Sequence, residues 1–447
     1  MHKKSTCKKL LFHVECFLRK KVQRNRRRKV INRSYNKKMI RALVLAAGLA
    51  AAGAVFTGCG TQPETIDAGQ AADEIADAAG KEGQPAEGAA DASAPQDNTD
   101  AGDQNGSKKE DQTESATEAD KAAAPTAVWD ASTGQLPVVG MATGQGGIED
   151  QSFNQSAWEG LQWFGGMSGC RVFFKESLKE SDLTNNIEAL LDEGSNLVWA
   201  TGYDSGPQML EAAQEHPANS FAIIDYAYED TPDNLTGVVF RDQEPSFLVG
   251  YIAANMTETG KVGFVGGVDN AVIEQFECGY RAGVAYGAKE SGKEVSVESV
   301  YAGSYQDMAK GAELATGLYD GGCDIVYHAA GQTGVGVIAA AQQAGKFVIG
   351  VDKDQAFLAP ENVLTSAMKY VNMAVRQISD QYASGKAIGG QTISLGLSED
   401  AVGISENHDL YPDELYDDAL QLADQIKDGT LEVPETRDQL DAFLADL

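Results

Sequence analysis

Cysteine and histidine are scarce in this 447-residue chain, which has six of the first and five of the second. Cys7, Cys16, Cys59, Cys170, Cys278 and Cys323 form no CxxC pair and no regular framework, which argues against both a zinc site and a disulfide scaffold. No HExxH occurs, so neither a metal centre nor a Ser-His-Asp triad has support. No nucleophile–base pair is visible, and the chain is expected to be neither an enzyme nor a cofactor carrier. Basic residues are also scarce beyond the N-terminal stretch. Residues 1–58 hold 16 of the 36 lysines and arginines and one acid, Glu15, so the formal charge of −30 divides into +15 and −45. A segment as acidic as the remainder repels phosphate, which excludes nucleic acid as a natural partner. The acidity itself serves solubility.

An apolar run from Leu43 to Phe56 covers 14 residues, short of the about 20 that a membrane span needs. Lys37-Lys38-Met39-Ile40-Arg41 precedes it and Thr57-Gly58-Cys59 ends it. A charged region, an apolar region and small residues at a cut site make an export signal. Gly58-Cys59 resembles a bacterial lipobox, with Phe56 in place of the usual Leu. On that resemblance Cys59 is lipidated and becomes the new N-terminus, holding the protein on the extracytoplasmic face of the cell membrane. Residues 1–38 are long and basic for such a signal, and Met39 is an alternative start. The basic extension and signal are thus assigned to residues 1–58.

Residues 59–136 are rich in Ala, Gly, Asp, Glu, Gln, Ser and Thr and nearly without large apolar groups. Such a composition buries too little surface to offset chain entropy. A disordered acidic linker is expected there.

From residue 137 apolar, strand-like runs alternate with helical patterns. Val138 to Ala142, Val172 to Phe174, Asn196 to Ala200 and Phe221 to Asp225 read as strands. Val262 to Val265, Val295 to Tyr301, Asp324 to Tyr327 and Phe347 to Val351 continue the series. Helical patterns follow each; one begins at Ser156, and another is capped by Ser181 with Leu183, Ile187, Leu190 and Leu191 on one face. The alternation predicts an α/β fold with parallel sheets and right-handed crossovers. About 310 residues exceed one comfortable core, so two lobes are expected.

Ligands of open parallel sheets bind beyond the carboxyl ends of the strands. The segments in that place are Thr143 to Gln155, Asp225, Gly266-Gly267, Gly303-Ser304-Tyr305, Ala329 to Gly334, Asp352, and Lys369, which is expected on a helix just past the strand-like Val363 to Ser366. Phe153 and Tyr305 offer aromatic faces, Asn154 a donor and an acceptor, and Asp225, Asp352 and Lys369 charge. Gly331 to Gly336 lacks the Gly-Lys-[Ser/Thr] ending of a phosphate loop and reads as a tight turn opening a helix. A flat heterocycle between two rings, with a polyol held by carboxylate and amine, fits this inventory.

Asp150-Gln151-Ser152-Phe153-Asn154-Gln155-Ser156-Ala157-Trp158-Glu159-Gly160 resembles the signature of the basic membrane protein family. That family comprises the purine nucleoside receptor-like substrate-binding lipoproteins of ABC transporters. The resemblance continues through Ser246 to Gly250, Gly260 to Gly267, Ala329 to Gly334, Ile349 to Gln355 and Leu364 to Ser366, across about residues 137–400. It implies a type I periplasmic-binding-protein fold, with two Rossmann-like lobes joined by three crossovers. Lobe 1 is placed at about 137–241 and 367–390, lobe 2 at about 242–366 and 391–447. It implies a purine nucleoside as ligand, and an ABC permease and ATPase as partners of a monomeric receptor. The base would stack between Phe153 and Tyr305 beside Asn154. Asp352 and Lys369 would hold the ribose, with Gly331 supplying backbone and Asp225 a further carry-over. Many members have Asp-x-Gly before the signature, where this chain has Gly144-Gln145-Gly146, so one expected carboxylate is missing. Glu149 is one replacement, and a different ligand such as a sugar is the alternative. A sensor reporting its ligand to a membrane kinase is a competing reading of the same fold.

Overall fold

The structure, a computed structural model, describes residues 131–447; the expected signal, Cys59 and nearly all of the expected linker lie outside the described residues. Two six-stranded sheets organise the domain. The first is built from β1 (Val138–Thr143), β2 (Arg171–Glu176), β3 (Leu197–Thr201), β4 (Ser220–Ile224), β5 (Leu235–Phe240) and β11 (Gln391–Leu395). Its strand order is β11-β5-β4-β3-β1-β2, parallel throughout. The second holds β6 (Lys261–Gly266), β7 (Ser296–Tyr301), β8 (Ile325–Ala329), β9 (Phe347–Asp352), β10 (Val363–Lys369) and β12 (Val402–Ile404). Its order is β12-β10-β9-β8-β6-β7, parallel except for the antiparallel β10–β12 pair.

The helices α1 (Phe153–Ser168), α2 (Leu183–Asp192), α3 (Gly206–Glu215) and α8 (Val371–Ala383) serve the first lobe. The second carries α4 (Gln243–Met256), α5 (Ala271–Ser291), α6 (Met308–Asp320), α7 (Gln332–Ala344), α9 (Asp413–Lys427) and α10 (Arg437–Asp446). Helices on both faces explain why β3, β4 and β8 are buried at every position and read as continuous runs rather than alternating ones. Helices α4 and α5 pack backbone to backbone: a Cβ at Gly283 would lie 2.0 Å from the Phe247 carbonyl oxygen. Among the described residues no helix is long and apolar enough to cross a membrane.

The chain crosses between the sheets three times: after β5, after β10, and between β11 and β12. The last crossing falls later than expected. β11 pairs with β5 from Gln391 to Leu395, so these residues belong to lobe 1 and not to lobe 2. Conversely Ala367 to Lys369 stay in the second sheet, paired with β12. Lys369 therefore ends a strand rather than sitting on a helix, and it is 1% exposed. Helix α1 begins at Phe153, three residues before Ser156. Ser181 lies in a short 3-10 turn, and α2 starts only at Leu183.

Candidate functional site

A cleft of about 880 Å³, partly open to solvent, lies where the strand ends of the two sheets meet. Phe153, Asn154, Asp225, Tyr305, Gly331, Asp352 and Lys369 all line it. The fold thus brings every ligand-facing residue expected from the sequence, each at its own strand–loop junction apart from the adjacent Phe153 and Asn154, into one cavity.

The signature loop is shaped by Asp150, a residue with no role assigned from the sequence. Asp150, 1% exposed, accepts main-chain N–H bonds from Ser152 (2.9 Å), Asn154 (2.8 Å) and Gln155 (3.0 Å). It thereby caps α1, where a carboxylate also complements the helix dipole. Asn154 Nδ2 donates to the Gln145 carbonyl at 3.0 Å, and its Oδ1 accepts from Thr201 Oγ1 at 2.6 Å. Thr201 Oγ1 in turn accepts from the Gly144 N–H at 2.8 Å. The asparagine thus ties the loop to β3 while facing the cleft. No side chain fits at Gly144, because a Cβ there would stand 2.6 Å from the Thr201 carbonyl oxygen. Glu149 is exposed and does not line the cleft, so it is no substitute for the missing carboxylate.

The floor of the cleft is charged. Lys369 Nζ donates to Asp225 Oδ2 and to Asp242 Oδ2, both at 2.8 Å. The rings of Phe153, Phe240 and Phe276 surround it at 5.2, 5.0 and 5.3 Å. Burial opposes its charge, but Asp225, Asp242 and Asp352 outweigh that and hold the ammonium protonated. Burial pushes the Asp225 and Asp242 carboxyls upward, against the pull of Lys369. Asp225 Oδ1 is buried in the cleft wall with no hydrogen-bond partner among the described residues.

Asp352 ends β9 with φ +65°, and its Oδ2 accepts from the Ser152 hydroxyl of the other lobe. Burial pushes its carboxyl up to about 6, opposed by Lys369 and Ser152. Tyr305 packs against Gly267 and Gly331, where a Cβ would lie 2.3 Å and 3.6 Å from its side chain. Its hydroxyl accepts from Asn270 Nδ2 at 3.0 Å. Gly331 takes φ +55° at the start of α7, a backbone region that favours glycine.

Asp242, Asp150, Thr201 and Phe276 are residues of the site and its support that sequence reasoning misses. Asp150 sits inside the quoted signature, which was the signal available for it. Asp242 follows β5, a strand that the apolar runs above do not include, and Phe276 lies on the inner face of α5. A cleft that presents Asp225 and Asp352 beside the Lys369 ammonium, walled by aromatic rings, suits a neutral ligand with a flat apolar part and several hydroxyl donors.

Known proteins share this architecture. The family of PnrA-like ABC transporter substrate-binding proteins matches residues 137–437. Basic membrane protein A1 of Borrelia garinii subsp. bavariensis is 37% identical over 304 residues, covering 67% of this chain and 89% of that protein. The CD4+ T-cell-stimulating antigen of Listeria innocua is 37% identical over 320 residues, 66% of this chain and 88% of that one. Among solved structures, an ABC transporter solute-binding protein of Aeropyrum pernix superposes with a TM-score of 0.64 at 26% identity, covering 69% of this chain and 97% of the other. One from Conexibacter woesei gives 0.54 at 24% identity, over 67% and 99%, and shows the shared fold. The two-lobed domain thus has the periplasmic-binding-protein architecture, and the chain belongs to the PnrA-like family of ABC transporter substrate-binding proteins.

Proposed function

We propose that this ABC substrate-binding protein captures a purine nucleoside by closing its lobes over it. The observation that carries this is the unpaired Asp225 Oδ1, held beside Lys369 in a cleft whose walls include Phe153 and Tyr305. A ribose hydroxyl satisfies that oxygen, and Asp352 supplies a second acceptor. The base lies against Phe153 and Tyr305, where ring stacking adds roughly 0.5–1.5 kcal/mol beyond area burial. Gly331, which lines the cleft with no side chain of its own, and Asn154 complete the polar contacts.

The ligand is handed to a permease driven by an ATPase, and Cys59 carries the lipid that holds the protein on the outer face of the cell membrane. Uptake of radiolabelled guanosine, inosine and adenosine by cells with and without the gene tests import. Loss of uptake at low concentration is the expected result, and unchanged uptake overturns it. Cys59→Ala should release the protein from the membrane fraction; retention there refutes the anchor.

A further inference from the structure

Gln355 is fully buried and has no part in the ligand contacts above. Its Oε1 accepts from the Val351 N–H at 2.9 Å and faces His328 Nε2 at 3.1 Å. Its main-chain N–H donates to Ser366 Oγ at 3.2 Å. Its Nε2 crosses to the other lobe and donates to the Gln151 carbonyl at 3.1 Å. These partners dictate the amide orientation, because a main-chain N–H needs the oxygen and a carbonyl needs the nitrogen. His328, fully buried, must then carry its proton on Nε2. Gly350 leaves the room: a Cβ there would lie 2.7 Å from Gln355 Oε1.

Both ends of this link belong to the cleft. Val351 precedes Asp352, whose backbone stands at φ +65°. Gln151, at φ +57°, precedes Ser152, whose hydroxyl donates to Asp352. The path Asp352–Ser152–Gln151–Gln355–Val351 closes on itself and crosses between the lobes twice. The nearby Lys353–Glu159 bridge at 2.9 Å also spans the lobes, but it is solvent-exposed, and such pairs contribute little.

We infer that Gln355 is a positioning residue for ligand capture: it fixes the turn that aims Asp352 and ties that turn to the loop carrying Phe153. Closure of the lobes and aiming of both ligand-facing groups are then one event. The inference rests on the reading that Asp352 and Phe153 face the ligand, but one arm of its test needs no ligand.

Gln355→Glu keeps the size of the side chain and the acceptor for Val351 N–H, while replacing the donor to Gln151 with an oxygen. Hydrogen exchange on the ligand-free whole chain should rise about 10-fold or more at residues 150–156, in the opposite lobe, as loss of one buried hydrogen bond allows. A purely structural role confines the rise to residues 325–370, and that result overturns the inference. With guanosine or inosine as probe, dissociation should quicken by about 10-fold, while association changes less than about threefold. Equal changes in both rates, or none, contradict it. Gln355→Asn, one methylene short of Gln151, tests the same link if the glutamate variant fails to fold, with the same loop exchange expected. If the unaltered chain binds no nucleoside, the ligand reading fails, and the exchange experiment still decides the role of Gln355.

Discussion

Asp225 and Asp352 occupy matching places in the two lobes. Each stands at the carboxyl end of the strand third in its sheet order, β4 and β9, and each takes a left-handed backbone, φ +70° and +65°. Aspartate tolerates that region better than most residues, because its short polar side chain bonds locally. Their partners then diverge: Asp225 pairs with Lys369 of the other lobe, and Asp352 accepts from Ser152 of the other lobe. Each carboxylate thus reaches across the cleft, so two acceptors that line the cleft also hold the lobes together.

The Lys369 cluster makes the first prediction. Lys369→Met leaves Asp225 and Asp242 buried without their cation, and breaking a buried pair in this way costs about 3–5 kcal/mol. Urea unfolding of the ligand-free domain should show that loss at pH 8 and a smaller one at pH 5, where the two carboxyls take up protons instead. A loss under about 1 kcal/mol at both values contradicts the assigned charges.

Asp352 sets a pH dependence of known sign. Its carboxyl titrates at about 6 when folded, above its ordinary 3.8, so the folded chain binds that proton more tightly than the unfolded one. The stability this provides is full at low pH and lost as pH rises from about 4 through 6, on the order of 3 kcal/mol. Asp352→Asn should flatten the stability profile over that window by a similar amount. If the profile of the Asp352→Asn variant runs parallel to that of the unaltered chain, the shift is ruled out.

Gly144 tests why the expected carboxylate is absent. Gly144→Asp supplies the carboxylate expected from the family resemblance, but its Cβ would meet the Thr201 carbonyl oxygen at 2.6 Å. The loop must shift, breaking the Gly144–Thr201 hydrogen bond, and a loss of about 1–3 kcal/mol is expected. Thermal unfolding reads this directly, and a variant as stable as the parent refutes the steric account.

Much of this was legible in the sequence because strand ends announce themselves. The runs Val138 to Ala142, Phe221 to Ile224 and Phe347 to Val351 are apolar without alternation, so the polar residues that follow them, Thr143, Asp225 and Asp352, mark the cleft. What escaped depends on tertiary pairing. Lys369 reads as a helical surface lysine because Val371 to Ala383 is helical, yet pairing with β12 carries the strand through to it. β11 is a half-exposed edge strand, Gln391-Thr-Ile-Ser-Leu, and nothing in that pattern says which sheet it joins. Asp242 is buried with its charge partnered by Lys369, from a strand more than 120 residues later. Gln355 belongs to the motif running from Ile349, but its partner Gln151 lies in the other lobe, at a sequence distance no local pattern reports.

The central claim is that the cleft holds a purine nucleoside. Isothermal titration of residues 130–447 with guanosine, inosine, adenosine, a panel of sugars and a panel of amino acids tests it most directly. Saturable heat is expected with at least one purine nucleoside, and Phe153→Ala should weaken that binding by about 10-fold or more, as loss of a stacking ring from a buried site implies. Heat from a sugar or an amino acid, with none from any nucleoside, would contradict the account.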